Sequence, residues 1–136
     1  MRIESRARAR ALQAVYAWDL RGSETLDRVA QRVWDDLAVG YEERKFAERL
    51  VRILLHEGKT IDTQLSDVTT NWRLNRLGTI ERSVLRLGAA EMTMGGTPPR
   101  VIIKESMRLA ERYGTEESAR FVNGVLDAYA RRLGLL

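Results

Sequence analysis

Apolar residues recur every three or four positions along nearly the whole chain, and no segment alternates strictly between apolar and polar. That spacing is the signature of amphipathic helices rather than strands. Between the breaks the sequence is rich in Ala, Leu, Arg and Glu, all good helix formers. The strongest break is Gly95-Gly96-Thr97-Pro98-Pro99, which holds both prolines of the chain. The pattern predicts seven helices. The first covers about residues 4–20 and ends at Gly22. The second, 23–38, is capped by Ser23 and stopped by Gly40. The third, 42–57, is stopped by Gly58, and a fourth covers 60–70. After a connector at 71–77 come a fifth at 78–94 and a sixth at 99–113, with proline in its first turn. Thr115 caps the seventh, with Glu116 and Glu117 well placed in its first turn. The predicted fold class is all-α.

The fifth predicted helix has the widest apolar face, spread over Ile80, Val84, Leu85, Leu87, Gly88 and Met92. A surface helix needs a narrower stripe, so this one is expected at the centre. Glu91 projects from the same face. A carboxylate there reads as buried and paired with an arginine or a backbone donor.

At 136 residues, 44% hydrophobic and 31% charged, the chain is expected to form one domain, or two small helical lobes at about 1–70 and 71–136 that share a core. It has no cysteine and a single histidine, His56. Disulfides, thiolate nucleophiles and cysteine-based zinc sites are therefore excluded. His56, read as lying beside a helix end, suits a dipole partner or a surface residue better than a base. No phosphate-binding glycine loop and no nucleophile elbow occurs. The sequence thus nominates no catalytic residue, no metal site and no cofactor, and an enzyme is not expected. No apolar run approaches the roughly 20 residues that span a bilayer, so no membrane association is expected and the cytoplasm is the expected compartment.

Charge narrows the partner class. The net charge is +4, and the surplus collects at the two ends. Residues 1–21 hold five arginines against two acids, residues 100–136 hold seven bases against five acids, and the segment between is nearly balanced. If the ends meet in the fold, they form one basic patch suited to a polyanion. On the first helix, with Leu12, Val15 and Tyr16 facing inward, Arg6, Arg10 and Gln13 share the opposite side. Arg8 lies nearer the apolar side but is expected to reach outward from the first turns. This ridge suits phosphates and exposed bases; an ordinary solvated face has the same pattern. On the seventh helix, Val122, Val125, Leu126, Tyr129 and Leu133 form the apolar stripe. Phe121 sits about a quarter turn from its middle, with Arg120 farther out. A ring on the rim beside a guanidinium suits single-stranded RNA, the ring stacking a base and the cation holding a phosphate. The alternative is a Phe121 tucked into the edge of the core. Asn123 and Asp127, on the far side, call for polar partners.

The segment Tyr113-Gly114-Thr115-Glu116-Glu117-Ser118-Ala119-Arg120-Phe121-Val122-Asn123-Gly124-Val125-Leu126-Asp127 resembles the signature of the NusB family of transcription antitermination factors. Arg8 with Ala11-Leu12-Gln13-Ala14-Val15-Tyr16 and Asp19-Leu20 resembles the family's opening helix. Asn71-Trp72 through Gly78, Glu81 to Leu87, and Glu91 resemble its central helix, and Pro98-Pro99-Arg100-Val101 with Glu105 continues the likeness. The resemblance implies two small helical bundles packed across each other. It implies binding to boxA-type single-stranded RNA of ribosomal-operon transcripts, jointly with NusE, a protein of the small ribosomal subunit, in a complex with elongating RNA polymerase and other Nus factors. By position it carries RNA contacts to Arg6, Arg8, Glu117, Arg120 and Phe121, with Arg10 an added base one turn on. It carries partner contacts to Tyr16 and Glu81. A homodimer that hides the RNA surface is an arrangement also found in the family. Other features depart from the usual pattern: Glu4 and Ser5 interrupt the opening arginine run, Tyr113 replaces the usual Phe, and Lys104 stands where Asn is common. The alternative function on the same fold is a protein-interaction module whose RNA binding is incidental, as in the related domain fused to RNA cytosine methyltransferases.

Overall fold

The computed structural model describes residues 2–69, 74 and 77–136. Among these it has six helices and no strand: α1 (Ile3–Arg21), α2 (Leu26–Asp36), α3 (Tyr41–Val68), α4 (Thr79–Met94), α5 (Pro99–Tyr113) and α6 (Glu116–Arg132). The all-α reading holds, with one fusion. The predicted third and fourth helices are a single 28-residue helix, α3, and Gly58 does not end it. The buried stripe explains why: Ala47, Leu50, Val51 and Leu54 precede Gly58, and Ile61 and Leu65 continue on the same face. A glycine inside a helix costs about 1 kcal/mol, whereas each buried Leu or Ile contributes roughly 1.5–3 kcal/mol. Burial on both sides outweighs the break. His56 consequently lies in mid-helix, exposed, and not at a terminus.

The other boundaries are set by local chemistry. Gly22 ends α1 in the left-handed region at φ 70°, its N–H donating to the carbonyl of Trp18, as its position predicts. The start of α2 falls two residues later than predicted, with Thr25 rather than Ser23 at the N-cap. The same helix ends earlier than Gly40. Ala38 takes the left-handed conformation (φ 52°), and the N–H of Val39 donates to the carbonyl of Trp34 at 2.9 Å. Buried Val39 anchors this turn, while Arg44 clamps it by donating to the Val39 carbonyl and to Asp35. Gly40 serves instead as the N-cap of α3. The predicted 71–77 connector lies largely outside the described residues.

α1, α2 and α3 pack on one another, as do α4, α5 and α6, and α4 also packs across α1 and α3. Nine of the sixteen α4 residues are buried, which makes it the central helix the wide apolar face predicts. The buried side chains form one continuous cluster from Ala7 to Ala130. Gly88 sets the close approach here: a Cβ at this position would lie 2.7 Å from Leu126 and 3.1 Å from the Ser106 hydroxyl. On α6, Val122, Val125, Leu126 and Tyr129 are buried as predicted. Leu133 lies past the end of the helix and is exposed, so the stripe stops one turn short.

Candidate functional site

The start of α1 is fixed by its arginines, and they divide by direction. Arg8 points into the protein. Its Nε and Nη2 donate to the two oxygens of Glu91 at 2.7 and 2.6 Å, and its Nη1 donates to Glu105 at 3.2 Å. The guanidinium also lies 5.3 Å from the centre of the Phe46 ring. The expected arginine partner of buried Glu91 is therefore Arg8, 83 positions away. Burial works against the Arg8 charge, but the bonds to Glu91 and the charges of Glu91 and Glu105 outweigh it and hold its pKa above the ordinary value. The outward reach expected of Arg8 is corrected: its side chain is only 10% exposed, because two carboxylates already occupy its donors.

Arg6 and Arg10 lie on the outer side, as predicted, but are held by an acid from another helix. Arg6 Nε donates to Glu43 at 2.7 Å, and Arg10 Nε lies 3.8 Å from the same carboxylate. Arg10 also reaches Gln13 at 3.3 Å. The side chain of Arg6 is 43% exposed and that of Arg10 31%, although the Nε of Arg10 is itself shielded from solvent. Glu43, at the start of α3, orients this ridge; sequence spacing did not nominate it.

The second group lies on the first turns of α6. Thr115 caps the helix, its Oγ1 accepting from the Ser118 N–H at 3.1 Å, while the Ser118 hydroxyl accepts from the Thr115 N–H at 3.2 Å. That reciprocal box fixes the helix start. Gly114 is required by the tight turn, since a Cβ there would meet the Ala110 carbonyl at 2.7 Å. Glu117 and Arg120 are exposed, and Phe121 is half-buried against the edge of the core. Among the described residues Arg120 has no acidic partner within ion-pair distance. On the far side Asp127 pairs with Arg131 at 2.9 Å.

α5 joins the two groups. Its Glu105 accepts from the Ser5 hydroxyl as well as from Arg8, and Ser5, Ala9, Arg108, Leu109 and Arg112 line a groove between α1 and α5. The C-terminus of α5 then turns directly into α6. Burial would raise the pKa of Glu105, but the Ser5 bond and the Arg8 and Arg108 charges bring it below the ordinary carboxylate range.

Of the two predicted partner residues, Tyr16 on α1 is half-buried. Glu81, in the first turn of α4, accepts from the Ser118 hydroxyl, so it braces the start of α6. The two helices are tied beside these residues. Asp19 accepts from Arg82 and from Arg86, the latter at 3.0 Å, and Arg86 also donates to Asp62 at 2.9 and 3.0 Å. Arg82 further donates to the Leu77 carbonyl at 2.7 Å, holding the entry to α4. Burial pushes the Asp19 pKa up, but its bonds to Arg82 and Arg86 prevail and lower it. Among the described residues no cluster of His, Asp or Glu has the makings of a metal site, and no helix is long and apolar enough to cross a membrane.

Fold and site together define a class: an all-helical protein whose buried Arg8 and Glu91 neutralise each other, and whose exposed Arg120 adjoins a half-buried aromatic ring, Phe121. Comparison with known proteins places it within that class. The NusB family matches residues 5–131, and the chain belongs to that family. It is 41% identical over 130 residues to the transcription antitermination protein NusB of Anaeromyxobacter dehalogenans, covering 95% of this chain and 91% of that one. Its fold is similar to that of T. maritima NusB, with a TM-score of 0.87 at 32% identity over 94% of this chain and 90% of that one. It is equally similar to a structure of the antitermination factors NusB and NusE in complex with dsRNA, with a TM-score of 0.88 at 30% identity over 97% of this chain and 98% of the matched one.

Proposed function

We propose that this chain is a transcription antitermination factor that binds boxA-type RNA of ribosomal-operon transcripts jointly with NusE, and that it is an adaptor rather than an enzyme. The observation that carries the reading is the near full-length likeness to a NusB chain solved with NusE and RNA, combined with a half-buried Phe121 beside exposed Arg120. Arg6, Arg10, Glu117, Arg120 and Phe121 supply the RNA surface. Phe121 stacks a base and the arginines hold phosphates. Arg8 serves that surface indirectly, as the strut that fixes α1 on α4 and α5. Tyr16 and Glu81 belong to the NusE side, and the complex acts in the cytoplasm on elongating RNA polymerase with other Nus factors.

Fluorescence anisotropy of a short boxA-type RNA against a scrambled one, with and without NusE, tests this reading. Sequence-preferring binding that tightens with NusE is the expected result. Salt-sensitive binding equal for both RNAs would reduce the rim to a general polyanion surface and leave the protein-interaction module as the function.

A further inference from the structure

The arginines at the junctions of α1, α3 and α4 are engaged by carboxylates: Arg6 and Arg10 by Glu43, Arg8 by Glu91 and Glu105, Arg44 by Asp35, and Arg82 and Arg86 by Asp19. Two exposed rows differ: Lys45, Arg49 and Arg52 on α3, and a longer one on α5. Arg100, Lys104, Arg108 and Arg112 follow one another at intervals of four, and all four are exposed. Ile102, Ile103, Ser106 and Ala110 occupy the opposite, buried face. Residues four apart stand over one another on a helix, so like charges at this spacing repel and weaken it. Only Arg108 has an acid within ion-pair distance among the described residues, Glu105 at 3.3 Å, and that acid is shared with Arg8. Arg112 lies 5.3 Å from the Tyr113 ring, at the turn into α6. Glu111 is the one other acid of α5 and stands beside the row.

This row is continuous with the surface already described. Arg108 and Arg112 line the groove that Ser5 and Ala9 of α1 form with α5, and Arg112 is followed within a few residues by Glu117, Arg120 and Phe121. From Arg112 to Arg100 the row runs about 18 Å, at about 1.5 Å per residue. Given the RNA-binding function proposed above, on which this rests, we propose that the α5 row is a backbone track. The phosphates of nucleotides flanking the recognised element run along α5 from Arg112 toward Arg100, held by charge without base recognition. A strand of phosphates would relieve the repulsion within the row, which the protein's own carboxylates answer only at Arg108 among the described residues.

The test compares RNAs of two lengths: a minimal boxA-type RNA, and the same RNA extended by roughly four nucleotides at its 5′ or its 3′ end, a length matched to single-strand site sizes. Three proteins are measured in the presence of NusE: the unsubstituted chain, R100Q/K104Q/R112Q, and the control K45Q/R49Q/R52Q. The control removes equal charge from an exposed row on α3, and Gln keeps helix propensity high in both variants. In the unsubstituted chain one of the two extensions should tighten binding about tenfold. The α5 variant should lose that gain, with its salt slope on the longer RNA reduced by about two units, at roughly 0.7 per phosphate contact. It should bind the minimal RNA within about threefold of the unsubstituted chain, and the α3 control should retain the gain.

Equal losses in both variants, no gain from either extension, or a loss of NusE binding in the α5 variant would each overturn the track. Phe121→Ala separates the two levels. If it weakens the minimal RNA while the α5 variant changes nothing, the track alone fails. If it leaves the minimal RNA untouched, the RNA surface and the track fall together.

Discussion

Two regions of this protein use the same residue type to opposite ends. At the junction of α1, α4 and α5, Arg8 is enclosed, and its donors are spent on Glu91 and Glu105. On the rim formed by α5 and the start of α6, Arg100, Lys104, Arg112 and Arg120 are exposed, and none has a carboxylate within ion-pair distance among the described residues. An arginine that meets a desolvated carboxylate becomes architecture, because either charge left alone would be costly. One that meets only water keeps its charge available to a partner. Proximity in sequence does not decide between them, since Arg8 lies two residues from each of Arg6 and Arg10.

The comparison breaks most sharply at Arg8. Arg8→Ala strands Glu91 in the core and is expected to destabilise the fold by about 3–5 kcal/mol, read by chemical denaturation; Arg120→Ala should change stability by less than about 0.5 kcal/mol. Equal stabilities would remove the distinction between the regions. Acid sharpens it next. The folded pKa values are lowered, for Asp19 by Arg82 and Arg86 and for Glu105 by the Ser5 hydroxyl with Arg8 and Arg108, so their contribution is full above the ordinary carboxylate range, near pH 4. It is lost as pH falls through the lowered values. Melting temperature should therefore drop on acidification below about pH 4–5.

Phe121→Ala comes third. It is expected to weaken RNA binding by about 1–3 kcal/mol with the helical circular-dichroism signal retained, and unchanged affinity would return Phe121 to the edge of the core. Smallest is Arg6→Ala, which should lower the salt slope of RNA binding by up to about 0.7 for a single strand. An unchanged slope would place Arg6 with Arg8 on the structural side, as a partner of Glu43.

What was legible in the sequence follows the range of the forces involved. The α6 stripe as far as Tyr129, the Thr115 cap and the half-buried position of Phe121 are local and were readable from spacing, whereas the end of the stripe before Leu133 was not. The burial of Glu91 was readable too, but not that Arg8 answers it, because that bond closes across 83 residues. Glu43, which orients Arg6 and Arg10, was missed for the same reason: nothing within α1 points to it. The extent of α3 was misread because Gly58 is a stop signal by propensity alone, and only burial on both sides overrides it. The predicted Ser23 cap failed at smaller scale, displaced to Thr25 where the buried face of α2 begins at Leu26.

Glu81 carries a consequence beyond its bond. It begins the central helix beside the Asp19–Arg82 tie to α1, and through Ser118 it also steadies the cap of α6. Anything that draws the Glu81 carboxylate away, such as a competing cation from a docked protein, releases one of the restraints on the helix that carries Phe121. If a partner docks at Glu81 and a base at Phe121, as proposed, the two events are coupled through Ser118, and linkage of that kind is reciprocal: a base that settled on Phe121 and stilled α6 would change the affinity of whatever approaches Glu81.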